Sequence, residues 1–391
     1  MPKGTIAGIK MNAPVITLLV LYRQIFISYT ACMTSSNTTR SRIKILYVVE
    51  SFSTGVYSII KDIACNLDSD HFELLILYSL RDDSPKNPEA DFQYEHITLQ
   101  YVPMGSLKDY IPAVKTIRNV IKKYQPDCIH VHSSKAGFLG RLAAKGLQKK
   151  VLYSPHGFSF LRTDVSALKR WIFFQLEFWI CRYLPSKIIA VSEGEYKHAL
   201  RITKNSIVIN NFIDLTMFQK EDNRQSEMIV TCGRITAARN PALFNSIAKK
   251  LPNHTFMWVG DGPQRDEINA PNITVTGLLP RTDAVKYVKN ACIYVQTSLW
   301  EGMPVSVLEA MAAGKPVVAS NIVGNRDLID DGITGYLCDS SSSDQFAERI
   351  NKLLSSEELR ITLGANARSY VETHHDVQKA IAAYQANYKS M

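Results

Sequence analysis

From Ile43 onward the chain alternates between two hydrophobic periods. Continuous apolar runs predict buried strands at 43–50 ("IKILYVVE"), 72–80 ("FELLILYSL"), 128–133 ("CIHVHS"), 150–157 ("KVLYSPHG"), 187–192 ("KIIAVS") and 207–211 ("IVINN"). Between them, helical spacing marks 56–67, 111–127, 135–147 and the aromatic segment 166–185, with the second of these stopped before Pro126. Strands that are apolar throughout rather than every second residue, alternating with helices, predict a parallel sheet covered on both faces.

Residues 219–227 ("QKEDNRQSE") have no apolar period and read as a linker. The pattern then restarts: strand at 228–234, helix at 241–251, strands at 255–262 and 273–277, helix at 281–291, strand at 292–298, a helix from Pro304 to about Gly314, and strand 316–320. The fold class is therefore α/β, with two Rossmann-like doubly wound parallel-sheet domains facing a central cleft. The predicted divisions are an N-terminal extension over 1–40, an acceptor-side domain over 41–215, a nucleotide-binding domain over 216–375, and a C-terminal helix over 376–391 that returns to the first domain. Ligands of such sheets bind beyond the carboxyl ends of the strands, so the cleft between the two units is the expected site.

Charge adds a direction. Residues 41–190 hold 20 basic and 14 acidic side chains, residues 191–391 hold 21 and 22, and residues 1–40 hold 4 and none, within a net charge of +9. A basic front half suits an anionic partner such as phosphate or a membrane surface. Two basic stretches stand out. One carries Lys108, Lys115, Arg118, Lys122 and Lys123. The other sets Lys169 and Arg170 beside Trp171, Phe173, Phe174, Phe178 and Trp179, though its aromatics recur all round the helix, as in a core helix. No nucleic-acid-binding signature accompanies them. The seven cysteines are scattered without C-x-x-C spacing, which excludes a zinc or disulfide framework and fits buried thiols in a reducing compartment. The apolar segment 13–33, broken at Arg23 and Gln24, leaves three readings open: a poor signal anchor, an interfacial helix, or a stretch upstream of a start at Met33.

The candidate chemistry lies in the second unit. In "SLWEGMPVSVLEAMAAGKPVVAS" (298–320), Glu301 falls in a strand-to-helix loop and Glu309 about two turns into the helix, with Gly302, Met303 and Pro304 at its start. The first amides of a helix are a ready anion site. In "CGRITAARNPALF" (232–244), Arg234 and Arg239 flank a helix start, as a diphosphate clamp requires. The glycines of "VGDGP" (259–263), Gly260 among them, allow close backbone approach or a tight turn. The "DSD" at 68–70 has the form of an Asp-x-Asp metal signature but falls between a helix and the start of a strand, away from the carboxyl ends, and reads as a turn.

Taken together, "GRITAARNP", "VGDGP", 298–320, "GNRDLI" (324–329) with "DGITGYL", and in the front half "IHVHSSKAGFLGRLAA" (129–144), "YSPHGFSF" (153–160) and "IIAVSEGE" (188–195), resemble family 4 of the glycosyltransferases, which have the GT-B fold. The resemblance implies a retaining hexosyltransferase that moves a sugar from a nucleoside diphosphate sugar, its co-substrate, to a saccharide or lipid-linked saccharide acceptor. No cofactor, metal or nucleic acid is implied. It assigns Glu309 to the donor ribose, Glu301 and His156 to the transferred sugar, and Arg234, Arg239, Gly260, Gly302, Met303 and Pro304 to the donor. Ser53, Thr54 and Gly55 would approach the acceptor or the diphosphate. Relatives of this kind work on the cytoplasmic face of the inner membrane in surface polysaccharide synthesis. A nucleotide-sugar epimerase of the same fold and a non-catalytic nucleotide-sugar binder are the alternatives. Three departures from the family pattern stand in this chain: Arg239 replaces a lysine, Phe212 of "NNFID" (210–214) replaces a glycine, and only Gly55 remains of the paired glycines in the first loop.

Overall fold

The computed structural model describes residues 42–219 and 227–390. The expectations for 13–33 and for most of the 219–227 linker fall outside them. In the front lobe the chain runs β1 (Ile43–Val49), α1 (Thr54–Asn66), β2 (Phe72–Tyr78), β3 (Ile97–Tyr101), α2 (Tyr110–Tyr124), β4 (Cys128–His132), α3 (Ser134–Ala144), β5 (Lys150–Ser154), α4 (Ala167–Tyr183), β6 (Lys187–Ala190), α5 (Glu193–Ala199) and β7 (Ser206–Val208). The strands form a parallel sheet in the order β3-β2-β1-β4-β5-β6-β7.

The rear lobe continues with β8 (Ile229–Cys232), α6 (Pro241–Lys250), β9 (Phe256–Val259), β10 (Ile273–Val275), α7 (Arg281–Asn290), β11 (Ile293–Gln296), α8 (Val305–Ala312), β12 (Val317–Ser320), α9 (Val323–Arg326) and β13 (Gly335–Cys338), followed by α10 (Ser343–Leu354), α11 (Glu357–His374) and α12 (Val377–Lys389). Its strands are also parallel, in the order β10-β9-β8-β11-β12-β13. The strand order reverses between β1 and β4 in front and between β8 and β11 behind. Such switch points open the crevices in which ligands bind.

Alternation along β1 builds both layers of the front core. Ile45, Tyr47 and Val49 pack with residues of α1 and α12, whereas Leu46 and Val48 pack with residues of α2, α3 and α4. Helix α12 is thus part of the front lobe although it follows the rear one. Its Tyr388 hydroxyl lies 2.6 Å from that of Tyr47 and 2.9 Å from Nδ1 of His130. Phe212, in place of the expected glycine, is buried in the same layer. Next to it, Asn211 reaches across to donate to the Met303 carbonyl at 2.8 Å.

Hydrophobic period misses β3, because an edge strand exposes Thr98, Gln100 and Tyr101 and has no continuous apolar run. Helix α2 ends at Tyr124 because Gln125 turns to φ +52° just before Pro126. The basic stretch on α2 also needs correction. Arg118 is not a free surface cation, since it donates to the carbonyls of Ala143 and Lys145, both at 2.8 Å. Helix α4 is not a core helix: only Glu177 and Cys181 are fully buried, and much of its apolar surface faces outward.

Candidate active site

At the carboxyl ends of the two sheets the lobes meet around one cavity of about 200 Å³. Thr54 and His156 line it from the front; Arg234, Arg239, Trp300 and Glu301 line it from behind. The lobes touch backbone to backbone at its floor. A Cβ on Gly302 would stand 2.8 Å from the amide nitrogen of Gly157, closer than real Cβ contacts come, so glycine at 302 is what permits the approach.

Each wall is held by its own network. Glu301 accepts from Ser298 Oγ at 3.0 Å and Gln296 Nε2 at 3.3 Å, both at the end of β11, and pairs with Arg239 Nε at 3.3 Å. Arg239 also donates to Ser306 Oγ on α8 at 3.2 Å, which ties the connection between β8 and α6 to the first turn of α8. The guanidinium of Arg234 pairs with Asp83 of the front lobe at 3.1 Å. The two arginines and Glu301 therefore share the cleft, as their assigned roles require, but each already has an acidic or polar partner.

His156 follows β5 with a left-handed backbone, φ +54°. The turn is fixed by Glu195, whose carboxylate accepts from the Gly157 amide at 2.6 Å and from the Val191 amide at 2.8 Å. Burial pushes the Glu195 carboxyl up to about 7. The His156 ring stacks on His132 with centroids 5.3 Å apart, and its Nε2 lies 3.0 Å from His132 Nδ1. Burial lowers His156 to about 4 and holds His130 and His132 well below the ordinary histidine value. These rings are neutral at pH 7, so His156 serves as a hydrogen-bonding group rather than as a cation.

Several assigned residues are placed elsewhere. Ser53 is buried behind the loop, and Gly55 packs against Val305 of the rear lobe, which leaves Thr54 as the member of that loop in the cavity wall. Gly260 has φ +142°, and a Cβ there would meet the Gly233 carbonyl at 2.2 Å; its glycine serves the packing of two strand-end turns against each other. The Met303 side chain belongs to the rear core, and Pro304 caps α8 rather than opening it. Glu309 is buried outside the cavity wall and accepts from Arg281 Nε at 2.8 Å. Arg281 in turn donates to Asp62 of α1 in the front lobe at 3.0 Å. In the "DSD" stretch, Asp68 accepts from the Asp70 amide at 3.0 Å and contacts His71 at 2.7 Å, as a turn carboxylate does.

Sequence reading passed over Asp83, Asp62, Arg281, His132 and Trp300. Asp83 and Trp300 stand in loops and Asp62 and Arg281 on helices, and only the closing of the two lobes gives them their partners. Glu195 on α5, His132 at the end of β4 and Trp300 beside Glu301 do lie inside quoted motifs, which is the available signal.

Comparison with known proteins finds related sequences and folds. A model of Glycosyltransferase Family 4 matches residues 53–217, and a model of glycosyl transferases group 1 matches residues 213–370. The UDP-Gal:alpha-D-GlcNAc-diphosphoundecaprenol alpha-1,3-galactosyltransferase of Escherichia coli is 27% identical over 384 residues, covering 88% of this chain and 96% of its own. The capsular polysaccharide biosynthesis glycosyltransferase CapM of Staphylococcus aureus is 25% identical, covering 73% of this chain and 83% of its own. Among solved structures, Anabaena HepE in complex with UDP and glucose superposes with a TM-score of 0.75 at 18% identity, covering 90% of this chain and 100% of the other. The sucrose-phosphate synthase of Thermosynechococcus elongatus gives 0.76 at 18% identity, covering 89% and 99%. At that identity the likeness speaks for the fold alone.

Proposed function

The chain belongs to glycosyltransferase family 4, with the GT-B fold, and from that premise we propose that it moves a hexosyl group from a nucleoside diphosphate sugar to a lipid-linked saccharide during assembly of a bacterial surface polysaccharide. One observation carries the reading: Arg234, Arg239 and Glu301 of the rear lobe and His156 of the front lobe face one cavity at the switch points of both sheets. The full-length similarity to a transferase named for a UDP-sugar donor and a diphosphoundecaprenol-linked acceptor supports a UDP-sugar and an acceptor of that class.

The difficult step is breaking the anomeric C–O bond, which leaves charge on the departing diphosphate. Arg234 and Arg239 are fixed before the reaction and stabilise that charge where it develops. Glu301, oriented by Ser298 and Gln296, accepts from hydroxyls of the transferred sugar. Neutral His156 hydrogen-bonds the sugar from the opposite lobe. The acceptor oxygen forms the new C–O bond on the face the diphosphate leaves, and the acceptor proton passes to a leaving phosphate oxygen. The configuration is retained and no protein base is used. Two guanidiniums supply the positive charge that a metal would otherwise bring.

The basic front lobe and a lipid-linked acceptor support a peripheral location at the cytoplasmic face of the membrane. Among the described residues no helix is long and apolar enough to cross one. The test is a panel of UDP-, GDP- and dTDP-sugars scored first by thermal stabilisation, then by transfer to lipid extracts, with and without EDTA. A product whose anomeric configuration matches the donor, formed equally in EDTA, is expected. Conversion of donor alone to a free 2-epimer, with no transfer, overturns the reading in favour of an epimerase.

A further inference from the structure

Helix α4 is apolar on nearly every side, and a helix of that kind is normally surrounded by protein or lipid. Its inner side is docked. Glu177 accepts from the Tyr153 hydroxyl at 2.8 Å and pairs with buried Arg141 at 3.3 Å, and Cys181 lies in the core beside them. Among the described residues the outer side has no cover. Leu168, Ile172, Leu176, Trp179 and Tyr183, spaced four, four, three and four residues apart, form a stripe joined by Trp171, and all six are between 41% and 69% exposed. At roughly 100° per residue they occupy about 140° of the helix circumference, opposite Glu177 and Cys181.

We propose that this face of α4 is a docking surface for an anionic phospholipid bilayer, with the indoles of Trp171 and Trp179 at the headgroup level. Charge selects the occupant. Lys169 and Arg182 flank the stripe, both exposed, and the one acid on the helix, Glu177, faces inward and is paired. A two-fold pairing with a second copy would set this patch against itself and bring cations to cations with no α4 carboxylate between them. An anionic headgroup layer meets the same cations with opposite charge, and the apolar stripe enters beneath it.

Position adds a second argument. The segment leading into α4 belongs to the cavity rim: the Arg162 guanidinium lies over the Trp300 ring at 5.4 Å, and the Thr163 hydroxyl reaches the Leu299 carbonyl at 3.5 Å. Leu168 lies five positions after Thr163, a span of at most about 18 Å. A bilayer on this face would stand beside the mouth of the cleft, where a lipid-linked saccharide has to enter. Only this last point rests on the proposed transferase reading; docking itself does not require activity.

The experiment is co-sedimentation of the full chain with vesicles of phosphatidylcholine, with and without phosphatidylglycerol, together with tryptophan emission. Trp258 is buried in the rear core and Trp300 is half-buried in the cavity wall, so the part of a blue shift on vesicle addition that is lost in Trp171→Ser/Trp179→Ser reports on α4. We expect binding to the anionic vesicles, about tenfold weaker partition for the double variant Trp171→Ser/Trp179→Ser, and a loss of roughly fivefold per cation in Lys169→Gln and Arg182→Gln. The lysine and arginine are exposed, so those variants keep the measurement open if the tryptophan variant folds poorly. Sugar-nucleotide stabilisation of the soluble protein should be unchanged in all of them, which separates a failure of docking from a failure of the functional reading. Absence of binding to anionic vesicles, or binding that these substitutions leave untouched, overturns the proposal. So does a concentration-dependent dimer that Trp171→Ser/Trp179→Ser abolishes.

Discussion

Nδ1 of His132 lies 3.0 Å from Nε2 of His156, and the other ring nitrogen of His132 is buried without a hydrogen-bond partner. A buried N–H without a partner is rarer than a buried acceptor without one, so the proton of His132 is assigned to Nδ1, where it donates to His156. The proton of His156 is then on its own Nδ1, available to a sugar oxygen. Replacing His132 by Ala should lower kcat by up to about a hundredfold by freeing the ring to turn, with donor KM little changed. His132→Asn, whose amide donates from a similar place, should recover much of that loss. Equal rates for the Ala and Asn variants would count against an orienting role.

Asp83 is almost wholly buried, and Arg234 is the ion partner of its carboxylate. In the proposed reaction that carboxylate competes with the donor diphosphate for Arg234. Arg234→Ala should cost roughly 1.5–3 kcal/mol of transition-state stabilisation, a charge-assisted hydrogen bond, or about tenfold to hundredfold in kcat/KM. Asp83→Asn acts in the other direction. With Arg234 partly exposed the pair contributes about 1 kcal/mol at most, so donor KM should fall by up to about fivefold. Steady-state kinetics against donor concentration decides it, and a KM that rises in Asp83→Asn removes the competition argument.

A second bridge between the lobes runs through Arg281, which holds Glu309 at 2.8 Å and Asp62 at 3.0 Å. The cavity is smaller than the 300–1,000 Å³ usual for ligand sites, and we expect the lobes to part when a nucleotide sugar enters. Asp62→Asn should ease that parting and raise the donor association rate in stopped-flow binding, with the chemical step unchanged. Glu309→Gln should raise donor KM about tenfold if its carboxylate holds the ribose. A KM at the unsubstituted value would leave Glu309 a purely structural partner of Arg281.

Hydrophobic period made most of both sheets legible, because parallel strands buried on two faces must be apolar throughout. It failed where that condition lapses, at edge strand β3, and where a helix carries a second apolar face, as α4 does. The cleft was legible where a motif combines a strand end with a helix start: Arg234, Arg239, Glu301 and His156 converge. Glycines were harder to read. Gly260 and Gly302 both permit close approach, but the approaching group is protein backbone in each case. Asp83 and Arg281 were not legible, since a single charged residue in a loop acquires its meaning only from the lobe opposite.

The buried histidines also set the acid limit of the fold. His156 is lowered to about 4 and His130 and His132 well below the ordinary histidine value, mainly by burial, so the unfolded chain binds protons on these rings that the folded chain refuses. Stability then rises with pH wherever the unfolded state holds more protons. The histidine contribution is fully present above about 6.5 and is lost as pH falls from there toward 4. Glu195, raised to about 7, has the opposite sign: its contribution is present below the ordinary carboxylate range and lost as pH rises through 7. Three rings outweigh one carboxyl between pH 4.5 and 6.5, so the urea midpoint should decline steadily on acidification across that interval. For His156 alone the loss is on the order of 3 kcal/mol by pH 4. In Glu195→Gln the decline toward acid should steepen, because the opposing contribution of the carboxyl between about 4.5 and 7 is gone. A midpoint independent of pH from 6.5 down to 4.5 would mean that these rings take up protons without unfolding.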